Sequence, residues 1–398
     1  MSEYRIRPLE TGEHREAWDL FRASLHVSPG SDEEWDRAAL SHQQRRSVGA
    51  FGPGLIGTAR SFDAELLVPG GAKVPLAAVT GIGVRAGWTR RGVLTSMIEA
   101  QLADFTERGI VAATLRATEG AIYGRYGYGI ATHAQNVLVD RHRARLRPEV
   151  PPGGQVHVLD LGDAVPQWPE LYAATGFTRP GAMTRPPVFW GGHESQVRRL
   201  SPFPRTAVHH SPAGVDGYLV YYVDRESTPV KLHVPGFHYT SPEAFAGLWR
   251  FLLSVDLVDE IALMYRPLGE PTSLLFTNPH TAKIETTHDE TWLRLVDVPA
   301  ALAARTYGVA EPVVLEVHDR MLPANDGRYR IGPGGVERTG VTADLELDVD
   351  TLAMLYLGEW RPAPLALAGR ITGADEKTLA RTETLFGTER NPWCGTDF

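Results

Sequence analysis

A strand, an arginine-rich turn, a long amphipathic helix and a second strand follow one another between residues 74 and 116. The helix is predicted over residues 91–108, because apolar side chains recur on one face and Gly109 suits its C-terminal end. The flanking strands are predicted over residues 74–85 and 110–116. A strand, a helix and a strand in this order form a βαβ-like unit, so the sequence favours a fold of mixed α and β class.

The turn that leads into this helix carries Arg90, Arg91 and Gly92. The first N–H groups of an α-helix have no intrahelical acceptor, and the helix dipole adds partial positive charge at the same end. With two guanidiniums beside it, such an end suits a pyrophosphate group. The position between an apolar strand and an uninterrupted amphipathic helix favours an anion site over the alternative, a basic surface loop.

The chain has 398 residues, which is more than a single hydrophobic core usually supports, so two or three domains are expected. Its net charge of -8 provides no general attraction to nucleic acid, and we expect no nucleic-acid partner. No apolar run approaches the roughly 18 residues of a membrane span, and residues 1–10 carry charges where a signal peptide needs an apolar stretch. We therefore expect a cytoplasmic protein without a membrane partner.

The residue types that commonly bind metals or act as nucleophiles form no recognisable motif. Cys394 is the single cysteine, so it makes no intramolecular disulfide and no thiolate zinc site by itself. The 14 histidines show no metal-ligand spacing. Neither a Ser-His-Asp order nor a His-Glu-x-x-His motif occurs in a recognisable context. We therefore expect no bound metal.

Two changes of pattern divide the chain. Residues 141–154 contain alternating arginines and then prolines and glycines, which suits a linker. Near Thr291 a new series of short strands and helices begins. The other predicted strands cover residues 4–8, 47–51, 55–62, 137–139, 218–223, 230–234, 260–264, 292–296, 313–317, 329–331 and 344–347. The other predicted helices begin near residues 13 and 299 or cover residues 32–46, 120–126, 241–255 and 350–357.

A second motif follows the strand at residues 110–116, where residues 118–129 read TEGAIYGRYGYG. This run is similar to the S-E-G-x-I-Y-x-R-F-G-Y-G signature of the enhanced intracellular survival (Eis) acetyltransferases, with Thr118 for Ser and Tyr126 for Phe. The arginine turn resembles the pyrophosphate loop of the GNAT superfamily, Q/R-x-x-G-x-G/A, and departs from it at the last small residue, as the Eis family also does. Residues 293–302 and 355–358 resemble Eis segments too, so the resemblance covers essentially the whole chain.

The resemblance implies an α+β fold with two tandem GNAT-like domains of mixed α/β structure and a third domain like sterol carrier proteins. The N-terminal GNAT acetyltransferase domain is expected over residues 1–147 and the central GNAT-like domain over residues 148–288. The C-terminal sterol-carrier-protein-like domain, of α+β structure, is expected over residues 289–398. The resemblance also implies a homo-hexamer.

The same resemblance implies a GNAT-type N-acyltransferase whose co-substrate is acetyl-CoA. The strand at Ile82 and Val84 is expected to offer backbone groups to the pantetheine arm and the thioester, and the turn is expected to hold the pyrophosphate. The residues expected to bind acetyl-CoA are Ile82, Gly83, Val84, Thr89, Arg90, Arg91, Gly92, Val93, Leu94 and Thr118.

Direct attack of an amine on a thioester requires a base for the amine and an acid for the departing thiolate. The resemblance assigns the acid to Tyr123, with Tyr126 and Tyr128 as nearby alternatives. It assigns the base to the terminal carboxylate of Phe398. Because a free α-carboxylate is a weak base, a pocket would have to raise its pKa by desolvation. Trp393 and Phe398 are apolar, which favours a docked end over a frayed one.

The expected acceptor is a primary amine of a small polyamine-like compound, an aminoglycoside or a peptide lysine. Leu25, Trp35 and Asp397 are expected to line its site, where the Asp397 carboxylate would attract a cation. Residues 24–28 lack a carboxylate that some Eis proteins have there, so the acceptor could also be another metabolite or natural-product amine. Two alternatives also remain: transfer that uses another acyl-CoA or an alcohol, and a non-catalytic role in which the C-terminal domain binds a lipid or another hydrophobic ligand.

Overall fold

The computed structural model describes residues 3–39, 42 and 46–398. Its N-terminal part contains a run of antiparallel strands, two helices before them and one long helix after them. The elements are β1 (Arg5–Pro8), α1 (His14–Ser24), α2 (Asp32–Ala39), β2 (Ser47–Phe51), β3 (Leu55–Leu67), β4 (Lys73–Val84), α3 (Val93–Glu107), β5 (Ala112–Leu115) and β6 (Gly129–Asp140).

The middle of the chain repeats the order of strands, long helix and strand. Its elements are β7 (Gln155–Asp160), α4 (Leu161–Ala164), α5 (Trp168–Thr175), α6 (Pro187–Leu200), β8 (Arg205–Ser211), β9 (Gly214–Asp224), β10 (Lys231–Tyr239), α7 (Pro242–Ser254), β11 (Glu260–Pro267) and β12 (Ala282–Leu295).

The C-terminal part alternates short strands with short helices. Its elements are α8 (Val298–Ala304), β13 (Val313–His318), β14 (Gly327–Gly332), β15 (Gly335–Arg338), β16 (Leu345–Asp348), α9 (Val349–Tyr356), α10 (Pro362–Leu367), β17 (Ile371–Thr372) and α11 (Glu376–Phe386). The mixture of strands and helices throughout confirms the predicted α+β class.

Among the described residues, β1 to β12 form one twelve-stranded sheet in the order β1-β2-β3-β4-β5-β12-β6-β11-β10-β9-β8-β7. Strand β12 lies between β5 and β6, and β6 pairs in turn with β11. The N-terminal half of the sheet therefore contains β12, which follows the central strands in the chain. The central half contains β6, which follows the N-terminal strands. Because β12 runs through residue 288, it crosses the second expected domain boundary, and both boundaries stay predictions.

The remaining strands, β13 to β17, form a separate five-stranded sheet in the order β15-β14-β13-β16-β17 within the described residues. The largest hydrophobic cluster joins this unit to the large sheet, since it contains Leu76 of β4, Leu293 of β12 and Leu352 of α9. The C-terminal unit is thus packed against the same sheet that carries the arginine turn. No helix in the described part of the chain is long and apolar enough to cross a bilayer.

Two predicted helices differ from the observed structure. Residues 120–126 form turns and the 3-10 helix Gly124–Tyr126, because closely spaced glycines favour turns and Gly127 adopts a left-handed φ of 83°. The helix predicted over residues 32–46 ends at Ala39, and residues 40, 41 and 43–45 lie outside the described residues.

Several other elements keep their type but change their bounds, among them α3 and β12. Helix α3 begins two residues later than expected, because Gly92 has a φ of 80° that is incompatible with an α-helix. Strand β12 begins at Ala282, ten residues before the predicted strand. The side chains in its first half are mostly polar and largely exposed. This half therefore lacks the apolar pattern that marks a strand in a sequence.

Candidate active site

The candidate site lies where two parallel strands separate. Strands β4 and β5 pair from Leu76 and Ala112 to Ala78 and Thr114, and they part beyond that point. A cavity of about 580 Å³ opens there. Its lining residues are Ser24, Leu25, Ile82, Gly83, Val84, Trp88, Thr89, Arg90, Gly92, Val93, Leu94, Thr95, Thr118, Ile122, Tyr123, Arg125 and Tyr126.

The start of helix α3 forms one wall of this cavity. Gly92 is the residue that precedes the helix, and no side chain caps the helix at this position. The N–H groups of the first turn, which includes Val93 and Leu94, therefore have no acceptor within the helix. Arg90 also adopts a left-handed φ of 61°, so the turn holds the backbone in a conformation that side chains disfavour. These features give a concave, positively polarised wall that suits an anion.

The two arginines of the turn are placed differently. Arg90 lines the cavity and is exposed. The guanidinium of Arg91 lies 3.3 Å from the Glu3 carboxylate and 5.0 Å from the ring centroid of Trp88. Arg91 does not belong to the cavity lining, so Arg90 is the guanidinium that can reach a bound anion directly.

Tyr123 lines the same cavity. Its side chain is buried, with ring contacts to Tyr128 at 6.0 Å and to Trp292 at 6.5 Å between centroids. Burial, and to a lesser degree the neighbouring Tyr126, raises the pKa of Tyr123 to about 12. The hydroxyl therefore keeps its proton at neutral pH and is able to donate it.

The three neighbouring tyrosines are not equivalent. Tyr123 and Tyr126 line the cavity, whereas Tyr128 is fully buried outside it. The hydroxyl of Tyr126 lies 3.0 Å from Thr95 Oγ1 and is engaged in a hydrogen bond. This arrangement favours Tyr123 as the proton donor.

The C-terminal segment, residues 393–398, lies against the protein. The carboxylate of Glu290, on β12, accepts hydrogen bonds from the backbone N–H of Cys394 at 3.0 Å and of Gly395 at 2.7 Å. Arg116, just after β5, donates to the carbonyl oxygen of Thr396 at 2.9 Å. Burial raises the pKa of Glu290, and the facing Arg116 opposes that shift. A buried carboxylate with several donors thus fixes the segment beside the end of β5.

The last two residues reach different surroundings. The ring of Phe398 packs edge-on against Phe62 of β3, with centroids 5.8 Å apart. The carboxylate of Asp397 lies 3.5 Å from Arg116 and accepts a hydrogen bond from Gln196. Neither Asp397 nor Phe398 is in the lining of the 580 Å³ cavity. Thr118 is in that lining, and Arg116 precedes it by two residues.

The expected acceptor residues separate as well. Leu25 lines the cavity. Trp35 packs in an aromatic cluster with Trp18 at 5.6 Å and His42 at 5.2 Å and is not one of the lining residues. The structure therefore brings together nine of the ten expected acetyl-CoA residues, Tyr123 and Leu25. Trp35, Asp397 and Phe398 are not in this lining.

Sequence analysis missed Glu290, Arg116 and Arg185 as residues that hold the C-terminal segment. Arg185 donates to the carbonyl oxygen of Gly395 at 2.6 Å and to Thr396 Oγ1 at 3.1 Å. No local signal marks these residues, because each lies more than 100 positions from its partner and resembles any other charged residue. Within the described residues, no group of three or more His, Cys, Asp or Glu side chains is arranged to hold a metal ion.

Known protein families match three consecutive regions of the chain. Models of an acetyltransferase (GNAT) domain match residues 5–131 and 181–295, and a model of a sterol carrier protein domain matches residues 298–395. The three matches agree with the expected order of two GNAT domains and a sterol-carrier-like domain. The fold and the site thus define a GNAT N-acetyltransferase.

Similarity to individual proteins shows to which family of GNAT acetyltransferases the chain belongs. The chain is 37% identical to an uncharacterized N-acetyltransferase of Streptomyces avermitilis, over 88% of this chain and 87% of the relative. It is 34% identical to the N-acetyltransferase Eis of Mycobacterium tuberculosis, over 85% of each chain. The structure of Eis1 from Mycobacterium abscessus superposes with a TM-score of 0.90 at 37% identity, covering 99% of this chain and 100% of that one. The chain belongs to the Eis family of N-acetyltransferases, which confirms the resemblance and the prediction of an enzyme.

Proposed function

We propose that the protein transfers an acetyl group from acetyl-CoA to a primary amine, with chemistry at the cavity between β4 and β5. The observation that carries this proposal is the placement of Tyr123 and the uncapped start of α3 on one cavity of about 580 Å³. An anion site and a protonated hydroxyl on one cleft suit a thioester that also carries phosphates.

The residues present fit acetyl-CoA. The first-turn N–H groups of α3 and the guanidinium of Arg90 would hold the pyrophosphate, which needs several donors and positive charge. The edge of β4 that turns away from β3 has lost its partner strand beyond Ala78, so backbone groups near Ile82 and Val84 are available to the pantetheine amides. The thioester would then lie near Thr118 and Tyr123.

In the proposed reaction the amine nitrogen attacks the thioester carbonyl carbon, a C–N bond forms and the C–S bond breaks. Tyr123 donates its proton to the departing sulfur, which leaves as a thiol. The proton lost by the amine passes to the terminal carboxylate of Phe398, and transfer of that proton back to Tyr123 restores both groups. The burial of Trp393, Cys394 and Thr396 supports a fixed position for this carboxylate, and partial desolvation would raise its basicity.

The proposed acceptor is a small amine that is positively charged in solution, such as a polyamine, an aminoglycoside or a lysine side chain. The chain as a whole has a net charge of -8, which favours approach of a cation. Leu25 provides an apolar surface at the cavity. Asp397 lies on the C-terminal segment, 3.5 Å from Arg116. Because Asp397 is partly neutralised by Arg116, the overall charge contributes more to attraction than this single carboxylate.

Two measurements test the proposal. Free thiol is followed with acetyl-CoA and a panel of polyamines, aminoglycosides and lysine peptides, and at least one amine is expected to release thiol in proportion to acetylated product. A second enzyme carries a few extra residues after Phe398, which displaces the terminal carboxylate and should lower kcat by about 10²-fold or more. The same residues added before Met1 are the matched control. An unchanged rate in the C-terminally extended enzyme rejects Phe398 as the base, and a panel without thiol release rejects the function.

A further inference from the structure

A second cavity lies in the central part of the sheet, at a position that matches the first. Strands β10 and β11 are parallel and pair from Lys231 and Glu260 to Val234 and Leu263, and then they part. A cavity of about 230 Å³ opens at this point, and we call it the central cavity. It is larger than the roughly 150 Å³ cavity that is known to hold benzene, so it has room for a small ring with a substituent.

The walls of the central cavity are mainly apolar. Val220, Phe237, Met264 and Trp393 contribute to them, and Trp393 belongs to the C-terminal segment. A pocket of this kind binds the body of a ligand through apolar contact and fixes its orientation through a few polar groups. The polar groups therefore decide which ligand fits.

Arg185 is the first of these polar groups. Within the described residues its guanidinium donates to Gly395 and Thr396 and lies 3.8 Å above the ring of Tyr172, and all of these partners are neutral. The other two guanidiniums of the wall are neutralised: Arg266 by Glu270 at 2.6 Å, and Arg116 by Glu290 and Asp397 at 3.5 Å each. Arg185 thus brings a positive charge that an anion can neutralise.

His238 is the second polar group. Its side chain is only 3% exposed and stacks on Tyr218 with centroids 5.1 Å apart. Nδ1 of this ring is buried and has no hydrogen-bond partner, although a buried polar atom normally has one. Burial and the charge of Arg185 lower the pKa of His238 well below its ordinary value, so the ring is neutral and one tautomer presents an N–H at Nδ1.

The central cavity is not a second acetyl-CoA site. Helix α7, which follows β10, begins with Pro242, which has no backbone N–H, and the side chain of Ser241 accepts from the N–H of Ala244. At α7 one first-turn donor is absent and another is satisfied, so this helix start offers a pyrophosphate fewer donors than α3 does. Only a compact ligand suits this cavity.

We propose that the central cavity binds a small monocarboxylate with an aromatic or branched apolar body. The carboxylate accepts hydrogen bonds from the Arg185 guanidinium and from His238, and the body lies among Phe237, Met264 and Trp393. Asp397 also lines the cavity, but Arg116 and Gln196 hold its carboxylate. Binding does not depend on acetyl transfer, so this proposal and the proposed function fail separately.

The test is calorimetric titration of the full chain with phenylacetate and with 2-phenylethanol, which has a similar body and no charge. Phenylacetate should bind at one site and at least about tenfold more tightly than the alcohol, because a charge-assisted pair in an apolar cavity outweighs a neutral hydrogen bond. Saturating CoA should leave this affinity unchanged. Equal affinity for the two probes, no saturable binding, or competition by CoA overturns the proposal.

Variants assign the binding to the cavity. Arg185→Gln keeps a donor for Gly395 but removes the charge, so the two probes should bind with equal affinity. Arg179→Gln is the matched control, because Arg179 lies 5.7 Å from the ring of Trp393 but outside the cavity lining, and it should keep the tenfold preference. Leu200→Trp fills the cavity from its exposed rim and should abolish binding of both probes. If Arg185→Gln does not fold, Leu200→Trp provides the test instead. Phenylacetate binding that survives Leu200→Trp places the site elsewhere.

Discussion

The two cavities of the large sheet have the same strand arrangement but differ at the start of the helix that follows the first strand of each parallel pair. Each opens where two parallel strands part, β4 from β5 in the N-terminal half and β10 from β11 in the central half. At α3 the helix starts from Gly92 without a side-chain cap, whereas at α7 Ser241 and Pro242 close the helix start. We therefore propose that the turn before the helix, and not the strand arrangement, decides which half is able to bind a pyrophosphate.

The polar groups inside the two cavities differ in the same sense. The N-terminal cavity contains the protonated hydroxyl of Tyr123, while the central one contains neutral imidazoles and Arg185. We therefore propose that the repeated fold carries two sites with different chemistry, since one fold can support unrelated functions. Substitutions that affect one half without the other test this division.

The largest effect is expected from Tyr123→Phe, which removes the proposed proton donor from the N-terminal cavity. The kcat for acetyl transfer should fall by about 10²-fold or more, with little change in KM for acetyl-CoA, since general acid catalysis contributes this much. Tyr128→Phe is the matched control, because this tyrosine is buried next to Tyr123 outside the cavity. Steady-state thiol release measures both, and equal losses in the two variants would contradict the assignment.

The next effect concerns the open start of α3. Gly92→Asp places a carboxylate where the pyrophosphate is expected and forces a side chain onto a φ of 80°, so KM for acetyl-CoA should rise about tenfold or more. Gly12→Asp adds the same charge at a position with open space around it, and its KM should stay at the native value. If acetyl-CoA binds normally to Gly92→Asp in a direct titration, the pyrophosphate lies elsewhere.

A third prediction concerns how a histidine of the central half makes the stability of the chain depend on pH. Burial, reinforced by the charge of Arg185, lowers the pKa of His193 in the central half to about 3, whereas an unfolded chain protonates histidine near 6.5. As pH falls below 6.5, this histidine takes up a proton in the unfolded state but not in the folded state. The free energy of unfolding therefore decreases, by up to about 1.4 kcal/mol for each pH unit. His193→Gln should remove this contribution. Urea unfolding of the native chain and the variant from pH 7 to pH 5 checks it, and parallel pH profiles would refute it.

The smallest effect is expected at the closed helix start. Ser241→Ala removes the cap of α7 and should lower the free energy of unfolding by about 1 kcal/mol. The KM for acetyl-CoA should not change, because the central half has no part in binding the co-substrate. A lower melting temperature with native kinetics supports the comparison between the halves. An altered KM would show that α7 takes part and would break the comparison.

The sequence was most informative where structure is local. The turn at Arg90 and Gly92, the helix after it and the strand before it were predicted correctly within two or three residues, because caps, glycines and apolar periodicity act over short distances. The same rules failed at residues 120–126, where the pattern suggested a helix and closely spaced glycines formed turns instead.

The arrangement of distant segments could not be predicted in this way. Nothing in residues 282–288 shows that β12 enters the sheet beside β6, since the first half of that strand is polar and exposed. The bonds from Glu290 to residues 394 and 395 join positions over 100 residues apart. Such contacts depend on how the two halves and the C-terminal unit pack together, and packing leaves no periodic signal in the chain.

A crystal structure of the chain with bound acetyl-CoA tests the central claim most directly. We predict the pyrophosphate at the first turn of α3 beside Arg90, the pantetheine arm along the free edge of β4, and the sulfur within hydrogen-bond reach of the Tyr123 hydroxyl. Acetyl-CoA in the central cavity, or a sulfur far from Tyr123 with the cofactor otherwise ordered, would contradict it.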